Sequence, residues 1–389
     1  MRLPFLALAT AALLLAACTE PPNTSTPTPA RPTGPQAGSP ITPSGKTRIA
    51  LLLPLSGRAA GIGRSMQQAA EMSLFDSSGG KDLALAAYDS GDSAESATDA
   101  YNRARTDGCA LVLGPLFGSS ASALAPLVKQ GGANVISFSN DEKAAQPGVW
   151  IMGIAAPPQV RRVVGYAVSQ GIRRFAAFAP RTAYGDQMTA TLQDEAAARG
   201  ATVVGVEQFD PRSLDLTGAA KRLATDIGAG DGKVAILMPV APPQLSPALA
   251  SLQAAEIDTS KVQLIGTGVW DAPNIGSNAT LRGAWYAAPD PARRADFERK
   301  YLATYGRPPE RLATLAYDAV ALAAQLVRGK PGVVSADAIT SPNGWTGVDG
   351  PIRFLPDGRS QRALAVIEIQ GDRSVVISPA PSSFSQVTN

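Results

Sequence analysis

Two adjacent serines, Ser119 and Ser120, follow the apolar run 110–113 and the turn Gly114-Pro115. The run predicts a buried parallel strand, and Gly118-Ser119-Ser120 predicts the start of a helix continuing through Leu124, Leu127 and Val128. A strand, a glycine turn and a serine N-cap leave backbone N–H groups and two hydroxyls at the carboxyl edge of a sheet. The chemistry this arrangement supports is capture of a small anion. The same residues also suit an ordinary capped strand-to-helix turn, so both uses stand open at this point.

Other chemistry is narrowed by composition. The 389-residue chain contains no histidine, which removes Ser-His-Asp and Cys-His nucleophiles and every imidazole metal site. Gly45-Lys46-Thr47 resembles the end of a phosphate loop but has Pro40 where a glycine is required and no strand before it. Ser78-Gly79-Gly80-Lys81 matches a serine–lysine spacing used by β-lactam-type enzymes, yet lies in a glycine-rich loop instead of opening a helix. A net charge of +3, without a basic face interleaved with aromatics, argues against nucleic acid. The expectation is a non-enzymatic protein with no cofactor and no metal.

The elements that must position the serines follow a rhythm. Residues 1–17 read as a secretory signal, with Arg2 as its positive region and an apolar stretch Leu3 to Leu15. Its end, Leu15-Ala16-Ala17-Cys18, resembles a bacterial lipobox, which implies diacylglycerol on Cys18 and a membrane anchor. Thr19 in place of Asp implies sorting to the outer membrane of a Gram-negative cell. Residues 18–47 are rich in Pro, Thr and Ser and predict a disordered tether. Its length allows a reach of roughly 30 Å as a coil and up to about 90 Å when extended. Cys109, left without a disulfide partner, reads as a buried thiol.

From Arg48 onward, apolar runs alternate with amphipathic segments: strands at 49–53, 83–88, 110–113 and 134–138, with helices at 62–75, 93–106 and 119–130 between them. A second series of the same kind occupies 150–265. Alternation of this kind predicts doubly wound parallel sheets, here in two similar α/β lobes. Two helices, 294–305 and 312–328, precede a β-rich end, where Pro356-Asp357-Gly358 and Gly371-Asp372 predict tight turns. The expected division is 48–157 plus about 287–341 for lobe 1, 158–286 plus about 342–378 for lobe 2, and a loose tail at 379–389.

Several stretches then match a known pattern. Ile49-Ala50-Leu51-Leu52-Leu53-Pro54-Leu55-Ser56-Gly57 with Gly63, Leu113-Gly114-Pro115 with Ser119-Ser120, and Val135-Ile136-Ser137-Phe138-Ser139 are three of them. Ala183-Tyr184-Gly185, Leu315-Ala316-Tyr317-Asp318-Ala319-Val320 and Gly347-Val348-Asp349-Gly350-Pro351-Ile352-Arg353-Phe354 are three more. In this order they resemble the type I periplasmic binding proteins of the leucine/isoleucine/valine-binding class. The resemblance implies a Venus-flytrap fold: two α/β lobes joined by three crossings, with ligand in the cleft. Within that superfamily the lipobox and Ser137-Phe138-Ser139-Asn140-Asp141 look most like penicillin-binding protein activator lipoproteins, although the additional helical-repeat domain of some members is missing.

By that resemblance the cleft residues are Ser56, Ser119, Ser120, Ser137 and Ser139 in lobe 1, and Tyr184, Trp270 and Asp271 in lobe 2. The serine loops would hold a carboxylate and Tyr184 would stack on the ligand. Asp271 would either pair with an ammonium group or cap the next turn. The leading expectation is regulation or scaffolding of peptidoglycan synthesis through contact with a synthase (a penicillin-binding protein). The alternative is a substrate-binding protein that delivers a branched-chain or related amino acid to an ABC permease.

Overall fold

Ile49 to Leu53 are fully buried, which requires cover on both faces of the strand they form. The computed structural model describes residues 42, 44–77, 81–213, 215–228, 230–272, 274–328, 330–332, 334–371 and 373–384. The signal segment, Cys18, the tether up to residue 41, Ser78-Gly79-Gly80 and Asp372 lie outside the described residues.

The first lobe takes its sheet from β1 (Thr47–Leu53), β2 (Leu83–Asp89), β3 (Leu111–Leu113), β4 (Asn134–Ser137) and β5 (Val149–Ile151). These lie in the order β2-β1-β3-β4-β5 with every pairing parallel. Helices α1 (Ala60–Asp76), α2 (Ala94–Thr106) and α3 (Gly118–Lys129) connect them. Alternation along β1 sends Ile49, Leu51 and Leu53 to one core with Met66 and Ala70, and Ala50 and Leu52 to another with Tyr101 and Leu124. Cys109 is a buried free thiol in the second of these cores, its pKa raised by burial.

The second lobe repeats the device. Its elements are α4 (Ala156–Ser169), β6 (Arg174–Pro180), α5 (Ala183–Ala198), β7 (Thr202–Phe209), α6 (Thr217–Gly228), β8 (Val234–Leu237), α7 (Pro242–Ala254), β9 (Gln263–Gly266) and β10 (Trp285–Ala288). Phe175 and Ala177 face α4 and α5, whereas Ala176 and Phe178 face α6 and α7. The chain then returns with α8 (Pro291–Tyr305), α9 (Ala313–Val327) and α10 (Ala336–Ile339). Strands β11 (Trp345–Gly347), β12 (Gly350–Phe354) and β13 (Ser360–Arg362) form a small antiparallel sheet. Finally β14 (Ala365–Gln370) and β15 (Arg373–Ser378) extend the second sheet antiparallel, in the order β15-β14-β10-β9-β8-β6-β7.

The lobes are thus α/β with doubly wound parallel sheets, linked by crossings at 152–155, 289–290 and 363–364. Two expected boundaries move. Residue 287 lies inside β10, whose pairing with β9 places it in the second sheet. Ile352 and Phe354, expected in lobe 2, are buried with Leu51, Met66 and Leu315 in the core of lobe 1. The reason is the Pro356-Asp357-Gly358 turn, which docks on the edge of the first sheet: Ile151 N–H donates to the Gly358 carbonyl at 2.9 Å. Gly358 sits at φ +88°, and a Cβ there would lie 2.3 Å from Gln146 N. The chain therefore leaves lobe 1 only after β13.

Candidate functional site

In each lobe a helix follows the carboxyl end of the first parallel strand, and a shared contact fixes that helix. In lobe 1 a Cβ on Gly63 would meet the Pro54 carbonyl at 2.0 Å; in lobe 2 a Cβ on Gly185 would meet the Pro180 carbonyl at 1.9 Å. Only glycine lets the first turns of α1 and α5 press this closely on the strand ends.

The lobe 1 edge divides the five expected serines into two groups. Ser56 and Ser119 are exposed. Ser56 follows β1, in a loop arranged by Asp89, whose carboxylate accepts the Leu55, Ser56 and Gly91 N–H groups at 2.9, 3.3 and 2.9 Å. Burial works to raise the Asp89 pKa, but the Ser56 hydroxyl and these N–H donors hold it below the ordinary value. Ser120, Ser137 and Ser139 are buried and serve the scaffold. Ser120 donates to the Ser93 carbonyl at 3.3 Å and Ser137 to the Pro115 carbonyl at 2.8 Å. Ser137 Oγ accepts Ser139 N–H, Ser139 Oγ accepts Asp141 N–H, and Asp141 Oδ1 accepts Lys143 N–H. The run 137–141 is therefore a chain of local turns, and its polar residue types are those such turns require.

The expected serine N-cap of α3 is also corrected. The helix begins at Gly118, with Phe117 in extended conformation at the cap and no side-chain acceptor. Ser119 and Ser120 thus fall in the first turn, whose N–H groups receive no side-chain cap. The capping box lies one helix earlier, where Ser93 Oγ accepts Ser96 N–H and Ser96 Oγ accepts Ser93 N–H, at 3.2 and 3.3 Å.

In lobe 2, Tyr184 opens α5 after the Thr182 cap, which accepts Gly185 N–H at 3.1 Å. Its hydroxyl lies 2.7 Å from Thr267 Oγ1, and burial raises its pKa. The loop after β9 is also held by Gln159, whose Oε1 accepts Gly268 N–H at 2.5 Å. Trp270 does not line the cleft. Its ring is wholly buried in the lobe 2 core, and its indole N–H donates to the Val240 carbonyl at 3.1 Å.

Asp271 is engaged by the protein's own cations. Arg294 grips it with both terminal nitrogens, at 2.9 and 3.2 Å, and Arg311 Nε donates to it at 3.0 Å. Arg294 lies on α8, whose Phe297 and Tyr301 are buried against Ala69 and Met72 of α1. Arg311 lies just before α9, itself part of the lobe 1 core. An acid carried by lobe 2 is thus clamped by two guanidinium groups of lobe 1. Arg311 Nη2 also pairs with Asp349 at 3.3 Å, and Thr314 donates to Asp349 at 2.6 Å.

Asp318 lies beside this pair and accepts the Val348 and Asp349 N–H groups at 2.8 and 3.3 Å. Burial first, and then the neighbouring charge of Asp349, push Asp318 up to about 7. Burial also works to raise Asp349, but Arg311, Arg362, the Thr314 hydroxyl and Arg294 hold it below the ordinary value. An acid in the otherwise apolar run 315–323 was the available sequence signal for this cluster. Asp89, Gln159 and Thr267 carry no local signal, because only the fold brings them to the site.

Two α/β lobes, three crossings between them, and strand ends carrying hydroxyls and an uncapped helix are the architecture of a two-lobed protein of the periplasmic binding type. The chain belongs to the periplasmic binding protein family, whose model matches residues 46–374. Solved structures share the fold. A putative branched-chain amino acid ABC transporter protein from Rhodospirillum rubrum is 21% identical with a TM-score of 0.76, over 85% of this chain and 100% of that one. A branched-chain amino acid transporter substrate-binding protein from Streptococcus pneumoniae, in complex with isoleucine, is 17% identical with a TM-score of 0.61, over 86% and 100%. An ABC transporter solute-binding protein from Rhodopseudomonas palustris, in complex with 3,4-dihydroxybenzoic acid, is 18% identical with a TM-score of 0.63, over 87% and 96%. None of the curated proteins compared matches significantly.

Proposed function

We propose that the protein is a lipid-anchored solute-binding protein that captures a small carboxylate-bearing molecule between its lobes and presents it to an ABC permease. The observation that carries this reading is the first turn of α3, which has no side-chain cap and carries the exposed Ser119. An anion there gains free N–H donors and the helix dipole, a preference of about 1 kcal/mol. Ser56 adds a second exposed hydroxyl at the same sheet edge, and Tyr184 an aromatic ring from the other lobe. The relatives named above, all transporter proteins by description and two of them solute- or substrate-binding proteins, support solute capture over regulation of a peptidoglycan synthase.

The state of Asp271 bears on the ligand class. An α-ammonium would have to displace Arg294 and Arg311 from that carboxylate, so the reading favours an organic acid over a zwitterionic amino acid. Calorimetry of the full chain with benzoate, 3,4-dihydroxybenzoate and isoleucine tests this. Micromolar binding of an aromatic acid, weakened roughly tenfold or more in Ser119→Ala, is expected, since a hydrogen bond to a charged group contributes about 1.5–3 kcal/mol. Absence of heat with all three, together with copurification of a glycosyltransferase–transpeptidase from crosslinked envelopes, would replace capture with the regulatory role.

A further inference from the structure

A cavity of about 340 Å³ lies against the crossing between β13 and β14 and is lined by none of Ser56, Ser119 or Tyr184. We propose that it is a second ligand site, separate from the cleft edges, and that it takes a small organic anion: a carboxylate joined to an apolar or aromatic body. Its volume falls at the lower end of the range in which small-molecule sites are found, about 300–1,000 Å³.

The charge of the wall points to an anion. Arg162 contributes a half-buried guanidinium whose hydrogen bonds go to neutral acceptors, with Nε donating to the Leu364 carbonyl at 2.8 Å and Nη2 to Ser378 Oγ at 2.7 Å. Arg161, its neighbour on α4, is exposed, and among the described residues no carboxylate lies within 4.0 Å of its guanidinium, although the charge of Glu142 is felt there. Arg199 and Arg359 also line the cavity, each beside an acid of its own, Glu195 and Asp357. The remaining wall acid, Glu142, has its charge disfavoured by burial, with Arg161 and Arg359 acting in the opposite sense. Arg162 thus has no carboxylate partner and Arg161 only the charge of Glu142 nearby, in a partly enclosed space where charge interactions are stronger than in open water.

The body of the ligand is set by the rest of the wall. Leu355, Leu364 and Phe384 supply apolar surface beside the arginines, and Arg353 already stacks over the Phe384 ring at 4.9 Å. The walls come from both lobes, with Glu142 following β4 of lobe 1 and Arg161 and Arg199 on α4 and at the end of α5 in lobe 2. A molecule seated there touches both lobes, and it favours the lobe arrangement in which the walls stand this far apart.

Photolabelling of the full chain with N-acetyl-4-benzoylphenylalanine, which combines a carboxylate with an aromatic body, tests the site independently of the cleft. Saturable labelling of peptides spanning 158–162 or 355–364 is expected, with apparent affinity at least tenfold lower in Arg161→Glu and no saturable labelling by the corresponding carboxamide. Arg161 is exposed, so a melting curve matching the parent's is the control for folding, and Arg161→Ala serves if the charge reversal disturbs it. Labelling confined to peptides containing Ser56, Ser119 or Tyr184 overturns the proposal. So does equal labelling by the carboxamide, or an affinity unchanged in both Arg161 variants.

Discussion

At the scale of single residues, close backbone approach is written into glycines whose neighbours decide what they do. A Cβ on Gly63 would meet the Pro54 carbonyl at 2.0 Å, whereas one on Gly61, two residues earlier on a different face of the helix, would meet nothing within 4 Å. Both belong to α1, so helix propensity acts on them alike and only the contact differs. Gly63→Ala is expected to destabilise the protein by about 1–3 kcal/mol or more, the cost of forcing atoms into a filled space. Gly61→Ala is expected to be neutral or to stabilise by roughly 0.5–1 kcal/mol. Urea unfolding of the two variants checks this, and equal midpoints would remove the contact as the reason for glycine at 63. The serines resist such a reading from spacing alone. Ser119 and Ser120 are adjacent and identical in type, yet one is exposed and the other bonds to the Ser93 carbonyl of a different loop.

Elements were more legible than side chains, because periodicity reports burial directly. The run 49–53 and the segments around it specify a parallel sheet covered on both faces, and such a sheet forms. Helix starts were less legible: a serine beside a glycine turn suits a cap or a first turn, and the choice depends on how the preceding loop packs. The consequence is measurable at α2 and α3. Ser93→Ala removes the capping box of α2 and is expected to cost about 1 kcal/mol of stability. Ser119→Ala removes no cap and is expected to change stability by less than about 0.5 kcal/mol. Thermal melts of both variants separate a structural serine from one free for ligand. A Ser119→Ala loss equal to that of Ser93→Ala would return Ser119 to the scaffold. In the β-rich end, β14 and β15 join lobe 2 as expected, and only the stretch before β14 falls instead in lobe 1, for a related reason. Its turns were legible, but nothing in Pro356-Asp357-Gly358 says which sheet edge will accept it.

At the scale of the whole molecule, the two lobes are tied by an ionic cluster that the chain assembles from four separate stretches. Asp271 joins lobe 2 to Arg294 and Arg311 of lobe 1, and all three side chains are largely shielded from water. Asp271→Asn removes the carboxylate that the two guanidinium groups share, leaving Arg294 with Glu298 and Arg311 with Asp349, so a loss of about 1.5–3 kcal/mol in urea unfolding is expected. A loss below about 0.5 kcal/mol would mean that the clamp contributes no more than an exposed pair. The inner part of the cluster makes a sharper claim, because Asp318 and Asp349 share one low-dielectric site and only one can be readily charged. Asp318, pushed up to about 7, keeps its proton in the folded protein over a range in which the unfolded chain, with an ordinary aspartate, releases it. Its contribution to stability is therefore complete below the ordinary aspartate value and declines as pH rises through about 7. Asp349, held low, has the opposite sense: its contribution is present above the ordinary value and is lost on acidification. Together they predict greatest stability in mildly acidic solution and a fall toward neutral pH. Asp318→Asn, close in shape and without the proton equilibrium, is expected to flatten that fall. Calorimetric melts of parent and variant from pH 5 to 8 decide the matter, and parallel profiles would show that the buried pair does not govern the response to pH.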